Sequence, residues 1–226
     1  MARKVTISAL GPRPITGEVT RPHQQAVEEM IQHWKSQVDI VLPDRPDLIV
    51  VPEASDRYPN YPIEQRLDYY RTRRDQVRDF FAGVARDNHC YIAYSAAREL
   101  PDGTWRNSTQ VIDRSGSVAG IYNKNHLVIE ETTKAGILCG REARLIQADF
   151  GSLACAICFD LNFDELRGKY KAQRPDLIVF CSMYHGGLMQ QVWAYDCRAH
   201  FVGAVAGAEC TVINPLGERV ARSTNY

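Results

Sequence analysis

Short apolar runs alternate along the first part of the chain with longer segments whose apolar residues recur every three or four positions. Residues 5–10 and 48–51 are short runs that predict buried strands, whereas residues 23–36 and 63–87 have the spacing of amphipathic helices. After residue 90 the period shortens, and turn residues separate further strands. The later elements predicted are strands at 90–96, 108–112 and 120–122, a hairpin of 145–150 with 153–158, and helices from about 164 and at 186–201. The pattern predicts a mixed α/β fold.

One hexapeptide occurs twice: residues 45–50 and residues 174–179 share the sequence Arg-Pro-Asp-Leu-Ile-Val. Each copy follows a helical segment and begins a short apolar run, so both predict central strands. A repeat of this kind indicates two similar halves, which would bring Met183 and Tyr184 to the same sheet edge as Glu53. Coincidence between two ordinary buried strands is the alternative.

Three ionisable side chains follow apolar strands. Glu53 comes after residues 48–51, Lys124 after residues 120–122, and Cys158 ends the run that begins at residue 152. A thiol at a corner between a strand and a helix lies near free backbone N–H groups, which favour a thiolate and can stabilise an oxyanion. A carboxylate base, a cation and a nucleophile together are typical of acyl transfer.

The order of Pro52-Glu53, then residues 122–127, then residues 157–160 resembles the nitrilase superfamily of carbon–nitrogen hydrolases. The resemblance spans nearly the whole chain and implies a four-layer αββα sandwich without a metal or organic cofactor. It implies Glu53 as general base, Lys124 as charge stabiliser and Cys158 as nucleophile, with the N–H of Phe159 binding the oxyanion. It also suggests Glu131 as a supporting carboxylate, with its neighbour Glu130 as the alternative.

Within that superfamily, an aromatic residue and Asp after the nucleophile are similar to the amidase-like branches, as in Cys158-Phe159-Asp160. The resemblance thus implies hydrolysis of a small amide or N-carbamoyl compound, with nitrile hydrolysis by the same triad as the alternative. It also implies a homodimer or higher homo-oligomer, for which the apolar residues of 186–201 offer a surface. We expect one domain over residues 1–226, with the usual last strand and tail missing after Tyr226.

Composition narrows the class of protein. The formal net charge is zero, with 27 basic and 27 acidic residues, so the charge balance does not predict a nucleic-acid or anionic-membrane partner. We expect neither a transmembrane helix nor a signal peptide, because no apolar stretch is long enough for either. The seven cysteines are an odd number, which predicts reduced thiols and a cytoplasmic location.

Two other readings stay open. Cys155 and Cys158 have the C-x-x-C spacing of a dithiol redox or metal site, although strand alternation would turn them to opposite faces. Cys181 with His185 is a poor second ligand pair for zinc. A catalytically silent binding protein on the same scaffold is the third possibility.

We expect Asp160 and Arg167 to organise the loop and helix that carry Cys158. His126, on the same strand face as Lys124 if the strand continues, is expected to have a structural role.

Overall fold

The computed structural model of the chain describes residues 4–223 and contains two sheets flanked by helices. The strands are β1 (Ile7–Ala9), β2 (Leu48–Val50), β3 (Tyr91–Glu99), β4 (Trp105–Ile112), β5 (Val118–Asn123), β6 (Ile146–Ala148), β7 (Gly151–Ile157), β8 (Leu177–Ser182), β9 (His200–Val205), β10 (Thr211–Ile213) and β11 (Arg219–Arg222). The α-helices are α1 (His23–Val41), α2 (Arg66–Arg73), α3 (Gln76–Asn88), α4 (Ile129–Thr133), α5 (Asp164–Gln173) and α6 (Met189–Cys197).

The first sheet has the order β1-β2-β3-β4-β5 and the second the order β11-β10-β9-β8-β7-β6. In the first, β1, β2 and β3 run parallel, and β4 and β5 continue in antiparallel order. In the second, β7, β8 and β9 are parallel, and β10 and β11 follow in antiparallel order. The two halves of the chain therefore build the same arrangement of strands, and β6 is an addition at the edge of the second.

The repeated hexapeptide supplies the central strand of each parallel group. The arginine at its start has a positive φ in both copies, 50° at Arg45 and 54° at Arg174, and this turns the chain out of the preceding helical segment. The aspartate then accepts a backbone N–H from the neighbouring chain segment: Thr6, directly before β1, donates to Asp47 at 3.0 Å, and Ser152, in β7, donates to Asp176 at 2.7 Å. The repeat is therefore structural and not a coincidence of sequence.

Alternation along β2 shows how the layers pack. Leu48 and Val50 lie in the core between the two sheets, together with residues of β7, β8 and β9, whereas Ile49 and Val51 face the helices α1 to α3. On the other side, α5 and α6 cover the second sheet. Because both faces of the central strands are buried, they read as continuous apolar runs. The predicted αββα sandwich is confirmed.

The helix predicted over residues 63–87 is wrong as a single element. The chain forms α2, ends it at Arg73 and starts α3 at Gln76, with Arg74 between them at a φ of 46°. The side chain of Arg73 is 3% exposed and contacts the buried Asp56 at 2.8 Å, so this ion pair holds the end of α2 against the loop after β2. The apolar spacing continues across the break, which is why the sequence pattern did not reveal it.

The helix predicted over residues 186–201 is shorter than expected. It ends at Cys197, because Arg198 has a φ of 54°, and the chain then enters β9. Phe201 therefore belongs to a strand of the core, not to an apolar helix face. Met1 and Tyr226 lie outside the described residues, and a single domain over 1–226 stays a prediction. Within residues 4–223, no helix combines the length and the apolarity that crossing a membrane requires.

Candidate active site

Three strand ends bring Glu53, Lys124 and Cys158 together. Glu53 follows β2 and Lys124 follows β5, both in the first sheet, whereas Cys158 follows β7 in the second sheet. The Nζ atom of Lys124 lies 2.8 Å from Oε1 of Glu53, and the Cys158 thiol lies close enough to the Glu53 carboxylate for each group to shift the pKa of the other. The three residues that the sequence predicts as a set are therefore in contact in the folded chain.

Lys124 lies between two carboxylates. Its side chain is 1% exposed, and its Nζ atom contacts Oε1 of Glu53 and Oε2 of Glu131, each at 2.8 Å. Glu130 is exposed on the outer side of α4. Of the two candidates for the supporting carboxylate, Glu131 is the one that the fold places beside Lys124.

Asn107, in β4, links the two carboxylates and was not found from the sequence. Its Nδ2 atom donates to Oε1 of Glu53 at 2.7 Å and to Oε1 of Glu131 at 2.8 Å. The backbone N–H of Lys124 donates to the carbonyl of Asn107 at 2.8 Å. The register of β4 against β5 brings Asn107 opposite Lys124. This pairing could have identified Asn107, but it is not apparent from the sequence around Asn107 alone.

The site favours an ionised Glu53 and a neutral Cys158. Burial by itself opposes ionisation of Glu53, but the charge of Lys124 and hydrogen bonds from Lys124, Cys158 and Asn107 hold its pKa below the ordinary value. Burial, and then the negative charge of Glu53, raise the pKa of the Cys158 thiol to about 12. Lys124 stays protonated, because its two carboxylate partners outweigh burial and raise its pKa. The resting site thus holds a carboxylate that can accept the thiol proton.

Cys158 sits at a sharp corner of the backbone. Its φ is 47°, and it starts a short 3-10 helix, Cys158–Asn162, directly after β7. The first N–H groups of such a helix have no carbonyl partner inside it, and that of Phe159 is one of them. The side chain of Phe159 is 37% exposed. The corner therefore presents the sulfur together with a backbone donor.

Asp160 fixes this corner, as expected. Its side chain is fully buried and accepts the N–H of Ile157 at 3.1 Å, the N–H of His126 at 2.8 Å and the hydroxyl of Tyr122 at 2.7 Å. One carboxylate thereby ties the end of β7 to the segment after β5. Arg167 pairs with Asp196 at 3.0 Å and so joins α5 to α6, behind the corner.

His126 has the structural role that we expected, but not on the face that strand alternation predicted. β5 ends at Asn123, so the alternation does not extend to His126. Its ring stacks on Phe163 with centroids 3.7 Å apart, and its Nδ1 atom lies 3.1 Å from Asp160.

A cavity of about 160 Å³ opens beside the three residues. Met183, which the repeat predicts at the same sheet edge as Glu53, is one of its lining residues. Tyr184 is not among the residues that line this cavity. Its hydroxyl accepts a hydrogen bond from Nδ2 of Asn162 at 2.9 Å, and its ring packs on Phe180. The other lining residues are Glu53, Ala54, Arg57, Arg66, Tyr70, Ala97, Asn107, Lys124, Val128, Glu131, Ala135, Ile137 and Cys158.

The geometry does not favour a dithiol site. Cys155 is 1% exposed inside β7, and burial raises the pKa of its thiol, whereas a redox dithiol has a lowered pKa. All seven cysteines are free thiols. Among residues 4–223, no cluster of three or more His, Cys, Asp or Glu side chains could hold a metal ion.

Comparison with solved structures shows the same fold. The NitFhit protein of C. elegans matches with a TM-score of 0.82 at 19% identity, over 98% of this chain and 58% of that one. An amidase from Nesterenkonia sp. matches with a TM-score of 0.76 at 17% identity, over 96% of this chain and 84% of that one. Nit3 of Saccharomyces cerevisiae, a member of branch 10 of the nitrilase superfamily, matches with a TM-score of 0.74 at 17% identity, over 97% and 85%.

This chain spans only part of the length of the curated relatives that it matches. A probable hydrolase of Bacillus subtilis, YhcX, is 23% identical over 76% of this chain, which spans 35% of that protein. The hydrolase C26A3.11 of Schizosaccharomyces pombe is 22% identical over 78% of this chain, which spans 60% of it. The family model described as carbon-nitrogen hydrolase matches residues 14–224, almost the full sequence. The chain therefore belongs to the carbon–nitrogen hydrolase family.

Proposed function

We propose that this hydrolase cleaves a carbon–nitrogen bond of a small amide or N-carbamoyl compound through a thioester on Cys158. The contact of the Cys158 thiol with a buried, ionised Glu53, itself held by Lys124, carries the proposal. Amidase-like structural relatives and the sequence after the nucleophile support amides over nitriles.

In the first half of the reaction, Glu53 takes the proton of Cys158 while the sulfur attacks the carbonyl carbon. Lys124 has three N–H bonds, of which its two carboxylate partners use two, so the third is free for the developing oxyanion. The N–H of Phe159 is the second donor. As the C–N bond breaks, the leaving nitrogen takes the proton back from Glu53, and ammonia or an amine departs.

In the second half, Glu53 takes a proton from water, whose oxygen attacks the thioester carbon. The C–S bond then breaks, the acid is released, and the proton on Glu53 returns to the sulfur. Glu131 and Asn107 hold Lys124 and Glu53 in position during both halves. Every step uses groups of the chain and water.

The test is to trap the thioester. Wild-type protein mixed briefly with a panel of small amides and N-carbamoyl compounds should release ammonia and, after acid quench, gain the mass of the acyl group on the peptide that contains Cys158. Cys158→Ala should do neither, whereas Cys155→Ala, buried in the preceding strand β7, should do both. Ammonia release by folded Cys158→Ala, or an acyl group on another residue, would refute the mechanism. Turnover of nitriles alone would favour the alternative substrate class.

A further inference from the structure

A second cleft lies between the junction of α2 with α3 and the hairpin of β3 and β4. Its volume is about 850 Å³, and the arginines that line it are Arg71, Arg73, Arg74 and Arg98. The buried residues Tyr70 and Ala97 border both this cleft and the cavity beside Cys158. None of the groups in the proposed mechanism lines the cleft, so any function that it has is separate from that chemistry.

Arg73 joins the two walls of this cleft. Its side chain is 3% exposed and pairs with the buried Asp56 at 2.8 Å. It also donates to the carbonyl of Arg74 on the helical wall and to the carbonyl of Ala97 on the strand wall. The charge of Arg73 is thereby matched by a carboxylate, and its hydrogen bonds hold the two walls in a fixed relation.

Arg98, in β3, carries a charge that the chain does not match. Its Nε atom is buried without a hydrogen-bond partner, and its guanidinium forms no ion pair within residues 4–223. Arg106 lies directly opposite it in β4, so two like charges share one face of the sheet. Burial lowers the pKa of Arg98; the charge of Asp75 opposes this effect, and the charge of Arg106 adds to it. An anion in the cleft would therefore stabilise Arg98.

Arg74 brings a second unmatched charge from the opposite wall. It is exposed and has no ion-pair partner in the part of the chain that the structure describes. Its backbone has a φ of 46° and a ψ of −123°, a conformation that residues other than glycine rarely adopt and that is enriched at functional sites. This conformation ends α2, so that Arg74 lines the cleft at the point where the chain turns into α3.

Two carboxylates also line the cleft, and they differ in their partners. Asp75 pairs with Arg78 at 3.1 Å, so its charge is already matched. Glu99 is exposed and forms no ion pair with any residue between 4 and 223. Arg71 pairs with Asp68 at 2.8 Å in an exposed contact. The lining residues whose charges have no ion-pair partner are thus Glu99, Arg74 and Arg98.

We infer that this cleft binds a phosphate group between Arg74 and Arg98, either as the free ion or as part of a small phosphorylated compound. Guanidinium groups on two walls favour an anion that accepts hydrogen bonds from several directions, and a phosphate has more charge and more acceptor oxygens than a carboxylate. The volume of the cleft leaves room for the rest of such a compound beside Leu100 and Pro101. The inference does not depend on the reaction proposed above.

The first experiment measures the binding of inorganic phosphate to the full chain by calorimetry. Wild type should bind phosphate saturably and acetate more weakly, and Arg98→Gln should weaken phosphate binding by roughly 10- to 100-fold, the range for one hydrogen bond to a charged group. Glu99→Gln removes the unmatched negative charge and should strengthen the binding. Arg86→Gln, in α3 and 64% exposed outside the cleft, is the matched control and should bind as wild type does. Thermal melting checks that each variant is folded.

The second experiment locates the anion and separates the two sources of phosphate. Arg66→Gln changes the cavity beside Cys158 and not the cleft, so it should leave phosphate binding unchanged. Tighter binding of glycerol 3-phosphate than of inorganic phosphate would assign the site to a phosphorylated compound, and the reverse order would assign it to the free ion. The inference is refuted if phosphate does not bind, if acetate binds equally well, or if Arg66→Gln abolishes binding and Arg98→Gln does not. Because no turnover is measured, these outcomes hold whether or not the protein hydrolyses amides.

Discussion

At the scale of single residues, the proposed mechanism makes the rate depend on the protonation state of Glu53. Because its pKa is held below the ordinary value, it is ionised at neutral pH, and a fall in pH through that lowered pKa removes the base. We therefore expect kcat/KM to be flat across the neutral range and to fall only in acid. A rate that instead rises through the alkaline range would point to a free thiolate, not to proton transfer within the pair.

Glu53→Gln should keep the fold and lose about two to four orders of magnitude in kcat, the usual effect of removing a positioned base. The amide of Gln is nearly the same size as the carboxylate but cannot accept the thiol proton. Lys124→Arg should perform little better, because a planar guanidinium does not fit between the carboxylates of Glu53 and Glu131. Steady-state rates with melting curves test both, and a near-normal rate in either variant would contradict the proposed roles.

We propose Asn107 as a positioning residue, and its replacement should shift the pKa of Glu53 in a defined direction. Its hydrogen bond helps to lower the pKa of Glu53, so Asn107→Ala should raise that pKa and move the acid limb of the kcat/KM profile to higher pH. We expect an accompanying loss of about tenfold in kcat, since one hydrogen bond to a charged group is worth about 1.5–3 kcal/mol. A merely structural role would lower the rate without moving the limb.

At the scale of elements, the corner after β7 depends on one buried carboxylate. Asp160→Ala would leave the N–H groups of Ile157 and His126 without their acceptor, and we expect a loss of about 2–4 kcal/mol in the free energy of unfolding. The rate of the folded variant should fall as well, because the corner sets the position of Cys158. Urea unfolding monitors the first effect, with the exposed Asp164→Ala as control. Equal stability of the two variants would show that the corner holds without Asp160.

The strand ends and the repeat were predictable from sequence because buried central strands are apolar on both faces and stand out as runs. The break after Arg73 was not, since the apolar spacing continues through it and only the buried contact with Asp56 explains it. Asn107 was not either, because its function comes from the register of β4 against β5. The local sequence pattern thus predicts which side chains lie at the strand ends. The long-range pairing of strands determines which other residues hold those side chains in place.

At the scale of the whole molecule, we propose a homodimer. Leu216 and Tyr195 are 66% and 51% exposed and line one shallow groove between α6 and the turn before β11, and Leu188, 69% exposed, precedes α6. Exposed apolar side chains grouped in this way are typical of an interaction surface. Light scattering should give twice the chain mass of 25.6 kDa, and Leu216→Asp should shift the population toward monomer. Ile40→Asp, equally exposed at the end of α1, is the control. A fully active strict monomer at high micromolar concentration would rule the dimer out.

In the proposed mechanism the two sheets contribute different groups, and this has a consequence for how the molecule can be divided. The acid–base and cationic groups belong to the half that ends with α4, and the thiol belongs to the half that starts with β6. A cut in the segment 134–145 would leave two fragments, each of which lacks some of the proposed catalytic side chains. Under the proposed mechanism, amide turnover would then appear only when the fragments reassociate, so this protein is suited to serve as its own reporter of fragment complementation.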